Sequence, residues 1–508
     1  MAFVNTLLTW FIGQRIPQIE EYASYPKETQ DRIFHTLIRS AQDTLWGYEH
    51  DYSQIHTLEN FKEKVPLQDY ESLKGYIRKM MDGEENILWP GDVKWFARSS
   101  GTTNDKSKLI PVSDETFQQC HFKAGRDMLS IYLNNRPDSQ IFTGKALVLG
   151  GSHQRNQSHF SAQFGDLSAL LIENLPLWAD LYRVPEKSIA LMDDWEAKLE
   201  KMARSTLNLN ITNISGVPTW TLLLMRKVLE ITQKNHILEV WPNLEVYFHG
   251  AVNFAPYREQ FKALIPSPNM YYMETYNASE GFFAIQDQAD SDEMLLLLDY
   301  GIFYEFLPLD QIDKEFPRTL SLEEVEIGKT YSLIISTNSG LWRYQLGDTI
   351  RFTSLQPHRI QITGRTKQFI NAFGEELMVD NAEKAVAFAC EKTDCSVREY
   401  TVAPRFYPEK NNGLHEWLIE FEKEPQNLTE FTYHLDQKLK TLNSDYEAKR
   451  HKNLALEPPL IYKAEPGTFY HWLKIKGKLG GQHKIPRLSN SRIYFDQIIQ
   501  FNAVSLSA

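Results

Sequence analysis

The sequence predicts a mixed α/β protein, in an α+β arrangement with a large β-sheet core flanked by helices. Length and composition indicate a globular protein of several domains, and the order of the apolar patterns predicts its fold class. The chain has 508 residues, enough for two to four domains of about 150 residues. Its composition is 42% hydrophobic and 24% charged, which is ordinary for a globular protein. Apolar runs of strand length then alternate with helical patterns, which is typical of sheets covered by helices.

The elements follow from local patterns along the chain. Residues 1–100 are predicted to be helical, and the segment Lys27 to Trp46 carries apolar residues at helical spacing just after Pro26. A second helix is predicted from Val217 to Ile231, where Pro218 suits a first turn. Short apolar runs bounded by turn residues predict buried strands at Ala146–Leu149, Leu244–Phe248, Met294–Leu298 and Tyr331–Ile335.

A domain boundary is predicted near residue 364. The alternating strand 359–362 stops at Gly364-Arg365-Thr366-Lys367. A helix at 382–391, an alternating strand at 416–421 and a helix at 428–442 follow, enough for a small α+β domain. We therefore predict an N-terminal domain over residues 1–363 and a C-terminal domain over 364–508. A single continuous domain remains the alternative on pattern alone.

Charge and cysteine content exclude several classes of protein. Basic residues number 54 and acidic residues 66, so the net charge is −12, and a nucleic-acid partner is not expected. The apolar segment 1–16 lacks a basic region and is too short to span a membrane. Three cysteines in so long a chain indicate reduced thiols and a cytoplasmic protein.

A hydroxyl-rich loop is the sharpest local feature, running from Arg98 through Ser99-Ser100-Gly101-Thr102-Thr103 to Lys108 between two apolar segments. Gly101 permits close backbone approach, and successive N–H groups with hydroxyls can surround a phosphate. A lysine such as Lys106 or Lys108 would add a point charge. A polar β-hairpin with a solvated pair of lysines is the alternative explanation.

Two further motifs carry groups suited to a nucleotide. In Tyr271 to Gly281, aromatic rings can stack on a purine and a carboxylate can hold Mg²⁺. The alternative there is an aromatic strand that ends in a turn. In Leu341 to Thr349, Asp348 follows a glycine and could accept both hydroxyls of a ribose. Its alternative is a surface ion pair between Arg343 and Asp348.

Taken in order, these motifs resemble the acyl-adenylate-forming superfamily. Within it the chain resembles the acyl-acid amido synthetases, which conjugate auxin and jasmonate to amino acids in plants and have bacterial relatives. The stretch Gly480 to Arg487, with Lys484, is similar to the Gln-aromatic-Lys-x-Pro-Arg segment near the end of that family. The resemblance extends from about Arg98 to Arg487.

The resemblance implies an enzyme that uses ATP and Mg²⁺ in two steps. An acid is first adenylated with loss of pyrophosphate, and an amino acid then displaces AMP to form an amide. The implied fold is a large domain with a β-barrel-like part and a small mobile C-terminal lid that turns at a hinge near Gly364. Partners would be small molecules only, and the protein is expected to be a cytoplasmic monomer.

The resemblance also assigns residues to roles. Lys484 and Lys108 are the implied catalytic cations, with Lys474, Lys476 and Lys478 as rivals to Lys484. Glu280 is the implied Mg²⁺ ligand. The implied nucleotide contacts are Ser99, Ser100, Gly101, Thr102, Thr103, Lys108, Tyr276, Asn277, Ser279, Glu280, Asp348 and Arg365.

The acid pocket is less well determined. Arg126 could pair a carboxylate or a second polar group of the substrate, and Trp220 could form a wall. A structural ion pair and a core aromatic are the respective alternatives. Asn104 and Asp105 depart from the loop glycine frequent in relatives, so a non-catalytic nucleotide-binding protein stays open. A ligase that transfers the acyl group to coenzyme A or another thiol is the other alternative.

Overall fold

The computed structural model describes residues 2–99, 108–151, 162–251, 254, 257–312, 314–366, 369–370, 372–373, 375, 377–407, 412–450, 456–476, 485–489 and 491–505. The chain forms two compact units. The N-terminal unit comprises Met1–Val252, Gln260–Leu346 and Ile350–Gln361. The C-terminal unit comprises Ile362–Ala508 with two earlier segments, Asn253–Glu259 and Gly347–Thr349. No sequence pattern indicates these two segments, because they join this unit only through tertiary contacts.

Helices open the N-terminal unit: α1 Ala2–Gly13, α2 Ile16–Ser24, α3 Pro26–Ala41, α4 Leu45–Glu49, α5 Leu58–Lys64 and α6 Tyr70–Met81. The prediction of one helix over 27–46 was wrong, since α3 ends at Ala41 and α4 starts anew. Thr44 caps α4 by accepting a hydrogen bond from the Gly47 N–H. A Cβ at position 47 would lie 2.2 Å from the Ala41 carbonyl oxygen, so this close return of the chain requires glycine.

Strands of the N-terminal unit and its boundary form two sheets. Their bounds are β1 Trp95–Ser99, β2 Lys108–Val112, β3 Lys145–Val148, β4 Gln163–Asp166, β5 Arg183–Val184, β6 Ile211–Ser215, β7 Val246–Gly250, β8 Tyr271–Ala278, β9 Gly281–Ile285, β10 Met294–Leu296, β11 Ile302–Pro308, β12 Thr330–Thr337, β13 Tyr344–Leu355 and β14 His358–Arg365. The predicted strands near 146, 246, 294 and 331 are confirmed.

Among these described strands, the larger sheet has the order β11-β12-β13-β14-β10-β9-β8-β7-β6-β3-β5, and the smaller has the order β2-β1-β4. Strands β3, β6, β7 and β8 are parallel neighbours, whereas β8 and β9 form an antiparallel hairpin. The five residues of β7 and the five of β9 are all buried, so this part of the sheet is covered on both faces.

Helices cover the sheets: α7 Asp114–Thr116, α8 Phe122–Asn135, α9 Leu167–Glu173, α10 Leu177–Tyr182, α11 Lys187–Ala190, α12 Trp195–Thr206, α13 Pro218–Thr232 and α14 Arg258–Leu264. A π-helical turn, Phe117–His121, joins α7 to α8. The predicted helix 217–231 corresponds to α13 and is confirmed. None of the helices in the described residues combines the length and apolar character needed to cross a membrane.

The C-terminal unit is built from strands packed on helices. Its further elements are β15 Phe369–Ile370, β16 Leu377–Met378, α15 Val379–Thr393, β17 Ser396–Tyr407, β18 Asn412–Lys423, α16 Leu428–Leu442, α17 Ser444–Arg450, β19 Leu460–Ala464, α18 Thr468–Ile475 and α19 Ile493–Ser505. The predicted strand 416–421 and helices 382–391 and 428–442 are confirmed. Tyr400, Trp417, Phe431 and Leu435, each fully buried, form the centre of its core.

Candidate functional site

The phosphate loop predicted from the sequence connects β1 to β2. Ser99 ends β1 and lies opposite Lys108, the first residue of β2, in the antiparallel register of the two strands. The predicted contacts Ser100, Gly101, Thr102 and Thr103 lie outside the described residues. Ser99 and Lys108 therefore mark the two sides of the base of this loop.

Lys108 lies close to two tyrosine rings. Its Nζ is 5.8 Å from the ring centroid of Tyr70 and 6.0 Å from that of Tyr344, at the outer range of a cation–π contact. It also lies 3.5 Å from the Tyr344 hydroxyl oxygen. The Tyr70 hydroxyl accepts a hydrogen bond of 3.0 Å from the N–H of Leu109. These contacts hold the ammonium group beside the base of the loop, and Tyr70 carries no signal in the sequence.

The second predicted motif forms the β8–β9 hairpin. Ala278 pairs with Gly281, so Ser279 and Glu280 form a two-residue turn. The Ser279 hydroxyl lies 3.5 Å from the carbonyl oxygen of Arg98, the residue before Ser99. The hairpin turn therefore meets the strand that leads into the phosphate loop, although the two motifs are far apart in the sequence.

The predicted contacts in this hairpin, Tyr276, Asn277 and Glu280, differ in how deeply they are buried. Tyr276 is buried, and its ring centroid is 4.9 Å from that of Phe283. The pairing is irregular between Tyr276 and Asn277, and Asn277 is half-buried. Glu280 is only 8% exposed, so its carboxylate lies in a largely desolvated position. The aromatic strand and the turn that were considered as the alternative are both present, and the turn carries a buried carboxylate.

The described residues fit Mg²⁺ only if phosphate oxygens and water supply most of its ligands. Among the described residues, there is no group of three or more His, Cys, Asp or Glu side chains arranged to hold a metal ion. Mg²⁺ at nucleotide sites is commonly bound by one or two carboxylates with phosphates and water completing its coordination. The buried Glu280 carboxylate is compatible with that arrangement.

Arg343 in the third motif does not form the surface ion pair considered as an alternative. Its side chain is buried and donates hydrogen bonds to both carboxylate oxygens of Glu305, at 3.0 and 2.9 Å. It also donates to the carbonyl oxygens of Lys62 and Val65 and to the Thr319 hydroxyl. Arg343 is thus a structural cation, and it fixes the chain just before Tyr344.

Asp348 pairs instead with Arg365 inside the C-terminal unit. The Arg365 Nε donates a hydrogen bond of 2.6 Å to Asp348 Oδ1. Gly347 lies within β13 at φ +85°, a conformation that favours glycine, and its carbonyl oxygen accepts a 2.8 Å bond from the Thr366 N–H. Two predicted nucleotide contacts are therefore brought together, and Asp348 is only 7% exposed.

Arg487, at the end of the predicted C-terminal motif, is held by several contacts. The predicted catalytic Lys484 and its rival Lys478 lie outside the described residues. The Val402 N–H donates a 2.9 Å bond to the Arg487 carbonyl oxygen. The guanidinium forms an ion pair with Glu399, donates a 2.9 Å bond to the Tyr257 hydroxyl and lies 4.5 Å from the Tyr400 ring centroid. Burial raises the pKa of Glu399, and the Arg487 charge opposes that rise. The rival lysines, Lys474 and Lys476, are exposed at the end of α18.

The two weak candidates for the acid pocket lie on different helices, and no described contact joins them. Arg126 lies on α8, and its Nε is buried without a hydrogen-bond partner among the described residues. Trp220 lies on α13 and is half-buried, with its ring centroid 4.3 Å from that of Trp195 in a T-shaped contact. The structural ion pair considered for Arg126 is not found in the part of the chain that the structure describes.

Two solved structures share this fold. It resembles a solved 2-hydroxyisobutyryl-CoA ligase in complex with an acyl-AMP, with a TM-score of 0.56 and 12% identity over 97% of this chain and 91% of that one. It is closer to a GH3.15 acyl acid amido synthetase, with a TM-score of 0.79 and 17% identity over 97% and 96%. The chain therefore has the fold of the adenylate-forming ligases.

The chain belongs to the GH3 family. Residues 15–270 match the GH3 family N-terminal domain, residues 295–365 the central domain and residues 380–493 the C-terminal domain. The indole-3-acetic acid-amido synthetase GH3.3 of Arabidopsis thaliana is 22% identical over 92% of this chain and 90% of its own length. The 4-substituted benzoates-glutamate ligase GH3.12 of the same plant is 19% identical over 93% and 95%.

Proposed function

We propose that this protein is an ATP-dependent acyl-acid amido synthetase. It adenylates a carboxylic acid to give acyl-AMP and pyrophosphate, and then transfers the acyl group to the amine of an amino acid with release of AMP. Family membership supports the reaction class, because the relatives named above are amido synthetases and ligases. We further propose a cytoplasmic monomer whose C-terminal domain, from residue 364 onward, moves between the two steps.

One observation carries the proposal. In the N-terminal unit, Ser279 contacts Arg98 and Lys108 contacts Tyr344, so three motifs that are distant in the sequence meet at the base of one loop. A loop of small and hydroxyl-bearing residues and an ammonium group can bind polyphosphate, and a buried carboxylate beside them is a candidate ligand for Mg²⁺. Ordinary surface hairpins would leave these groups separate and solvated.

The first half-reaction needs positioning and charge neutralisation. A carboxylate oxygen of the acid attacks the α-phosphorus of ATP, and the bond from that phosphorus to the pyrophosphate oxygen breaks. Lys108 supplies positive charge at the phosphate loop, and Lys484 is the proposed cation at the α-phosphate. Glu280 would hold Mg²⁺, which would offset phosphate charge. Tyr276 lines the proposed adenine pocket, and Asp348, oriented by Arg365, accepts the ribose hydroxyls.

The second half-reaction forms the amide. The amine nitrogen of an amino acid attacks the acyl carbon of the adenylate, and the bond from that carbon to the AMP oxygen breaks. AMP is a stable leaving group, so no covalent enzyme intermediate is needed. The fold is shared with a CoA ligase, which keeps transfer to a thiol as the second candidate.

The proposal is tested by ATP–pyrophosphate exchange with Mg²⁺ over a panel of aryl, indolyl and fatty acids. Exchange that depends on one acid would establish adenylation and identify the acid class. Amino acids and coenzyme A are then added separately to the reaction with that acid, and AMP release is measured. Faster AMP release with an amino acid, together with an amide product, supports the amido synthetase; faster release with the thiol supports the CoA ligase.

Two controls accompany this assay. The first is the exchange reaction without an acid, and the second is a direct measurement of ATP binding. ATP binding without exchange for any acid would contradict the proposed enzyme and favour the non-catalytic nucleotide-binding protein. The variant Asp105→Gly then tests the loop, because a glycine is frequent there in relatives. Recovered exchange would show that Asp105 suppresses the reaction in this chain.

A further inference from the structure

Two cysteines of the C-terminal unit are neighbours at the end of α15. Cys390 lies in the last turn of that helix, and Cys395 directly precedes β17. Both are free, half-buried thiols that pack against the same hydrophobic core. The third cysteine, Cys120, is fully buried in the N-terminal unit. Neither Cys390 nor Cys395 has a part in the proposed reaction.

The backbone at the end of α15 holds these two residues close together. Asp394 has a left-handed conformation, at φ +48°, and its N–H donates a hydrogen bond to the Cys390 carbonyl oxygen. The N–H of Cys395 donates to the same oxygen, at 3.1 Å. This six-to-one hydrogen bond is that of the Schellman motif, which frequently brings the side chains of its two end residues into contact.

The hydrogen bond also limits the separation of the two α-carbons. The carbonyl oxygen of Cys390 is about 2.4 Å from its own α-carbon, and the amide nitrogen of Cys395 is about 1.5 Å from its own. With the 3.1 Å bond between them, the α-carbons are at most about 7 Å apart, a limit reached only if all these atoms were in line. Disulfides usually join α-carbons that are roughly 4.4–6.8 Å apart, so this pair is within reach of one.

The surroundings favour Cys395 as the nucleophile of the pair. The Thr393 hydroxyl donates a hydrogen bond to its Sγ, at 3.3 Å. The hydrogen bond with Cys390 lowers the pKa of Cys395, and Thr393 and the charge of Lys423 act in the same direction, against burial and Asp394. The same hydrogen bond between the thiols, together with burial, raises the pKa of Cys390. A stabilised thiolate beside a thiol is the arrangement of an attacking and a resolving cysteine.

We propose that Cys390 and Cys395 form a redox-active pair that closes to a disulfide by exchange with a small disulfide such as oxidised glutathione. The Cys395 thiolate, formed by loss of a proton to solvent, attacks one sulfur of the small disulfide. The S–S bond of that molecule breaks, and one thiolate leaves and takes up a proton.

The second step closes the bond within the protein. Cys390 loses its proton to solvent, and its sulfur attacks the Sγ of Cys395. The bond between Cys390 and Cys395 forms, the mixed disulfide breaks, and the second thiolate leaves and is protonated. The protein has then lost two electrons and two protons, which the small disulfide has gained. Neither ATP nor an acid takes part, so this inference is independent of the proposed function.

The test is thiol–disulfide exchange by the full chain at pH 7, in glutathione buffers that range from fully reduced to fully oxidised. The reaction is quenched with acid, free thiols are alkylated, and the protein is digested with trypsin. Trypsin cuts after Lys392, so the two cysteines lie on separate peptides, 385–392 and 393–398. These peptides are expected to be linked by a disulfide at oxidising ratios. Their absence as a linked pair in fully oxidised buffer would overturn the proposal.

Two serine variants, matched to each other, test the roles of the two thiols. Cys390→Ser keeps the nucleophile, so it should stop at a mixed disulfide with one glutathione on Cys395. Cys395→Ser keeps only the resolving cysteine, and it should take up glutathione at least about tenfold more slowly. Equal rates of uptake in the two variants would overturn the assignment. Thermal unfolding checks that each variant is folded.

The parent protein supplies a measurement that depends on no variant. In the reduced, folded chain at pH 7, iodoacetamide should alkylate Cys395 at least about tenfold faster than Cys120, because burial raises the pKa of Cys120 to about 12. Equal rates for these two thiols would overturn the proposal. In urea the linked fraction at a given glutathione ratio should fall, because the backbone no longer holds the pair. An equal fraction in the folded and unfolded chain would also overturn it.

Discussion

Replacing His121 by leucine should change how the stability of the protein depends on pH. Burial lowers the pKa of His121 from 6.5 to about 4 in the folded protein. Between these values the unfolded chain binds a proton that the folded protein does not, so folding becomes less favourable as the pH falls. His121→Leu has no group that titrates at this position, and it should lose this part of the pH dependence.

The magnitude follows from the difference between the two pKa values. The shift from 6.5 to about 4 corresponds to a limiting loss of about 3 kcal/mol below pH 4, at about 1.4 kcal/mol for each pH unit. At pH 5 the loss is about 2 kcal/mol relative to pH 8. A second effect does not depend on pH, because a buried polar ring without a partner among the described residues costs free energy in the folded parent. The leucine variant should therefore be at least as stable as the parent at pH 8.

The assay is urea unfolding of the parent, His121→Leu and His121→Gln at pH 8 and pH 5, followed by tryptophan fluorescence. The free energy of unfolding of the parent, relative to either variant, should fall by about 2 kcal/mol between the two pH values. All other titrating groups are common to the three proteins and cancel in this difference. The difference in free energy of unfolding between the parent and a variant could instead be the same at pH 8 and pH 5 within about 0.5 kcal/mol. That result would refute the assignment of His121 as a buried, neutral imidazole.

Four further predictions concern the proposed site and its support. Lys108→Ala should reduce ATP–pyrophosphate exchange by about 100-fold. Lys94 is an exposed lysine before β1, and the control variant Lys94→Ala should keep the exchange rate of the parent. Equal losses in the two variants would refute the role of Lys108. Glu280→Ala should raise the Mg²⁺ concentration needed for half-maximal exchange, and an unchanged titration would remove its metal role. Lys484→Ala should abolish exchange while ATP binding is kept; parental turnover would contradict this. Glu305→Leu should lower the free energy of unfolding by about 3–5 kcal/mol, because the buried guanidinium of Arg343 loses the carboxylate that balances its charge. An effect below about 0.5 kcal/mol would count against that network.

Much of the fold was predictable because its signals are local. Apolar runs of four to five residues predicted the buried strands β3, β7, β10 and β12, and the helical spacing of apolar residues predicted α13 and α16. The prediction failed between α3 and α4. There the helical apolar pattern continues, but Gly47 packs against the backbone of Ala41 and the chain turns. A close approach between backbones has no signature in the pattern of apolar residues.

The candidate site was predictable only in part. The motifs that contain Ser99, Tyr276 and Asp348 were visible as short stretches with suitable chemistry. Tyr70 was not visible, because an aromatic residue at the start of a helix carries no sign that it will lie beside Lys108. The surface ion pair with Asp348 that was considered as an alternative for Arg343 is not what the structure shows, because Arg343 pairs with Glu305, which is close to it only in space.

The sequence by itself determined the family, the order of the motifs and the residue types available for adenylation, because these depend on neighbours along the chain. The tertiary structure decided which of those residues meet. It brought the β8–β9 turn to the strand before the phosphate loop, paired Asp348 with Arg365, and left His121 buried without a partner among the described residues. Burial and hydrogen-bond satisfaction are set by every segment that packs around a side chain, so they arise only when distant parts of the chain are folded together.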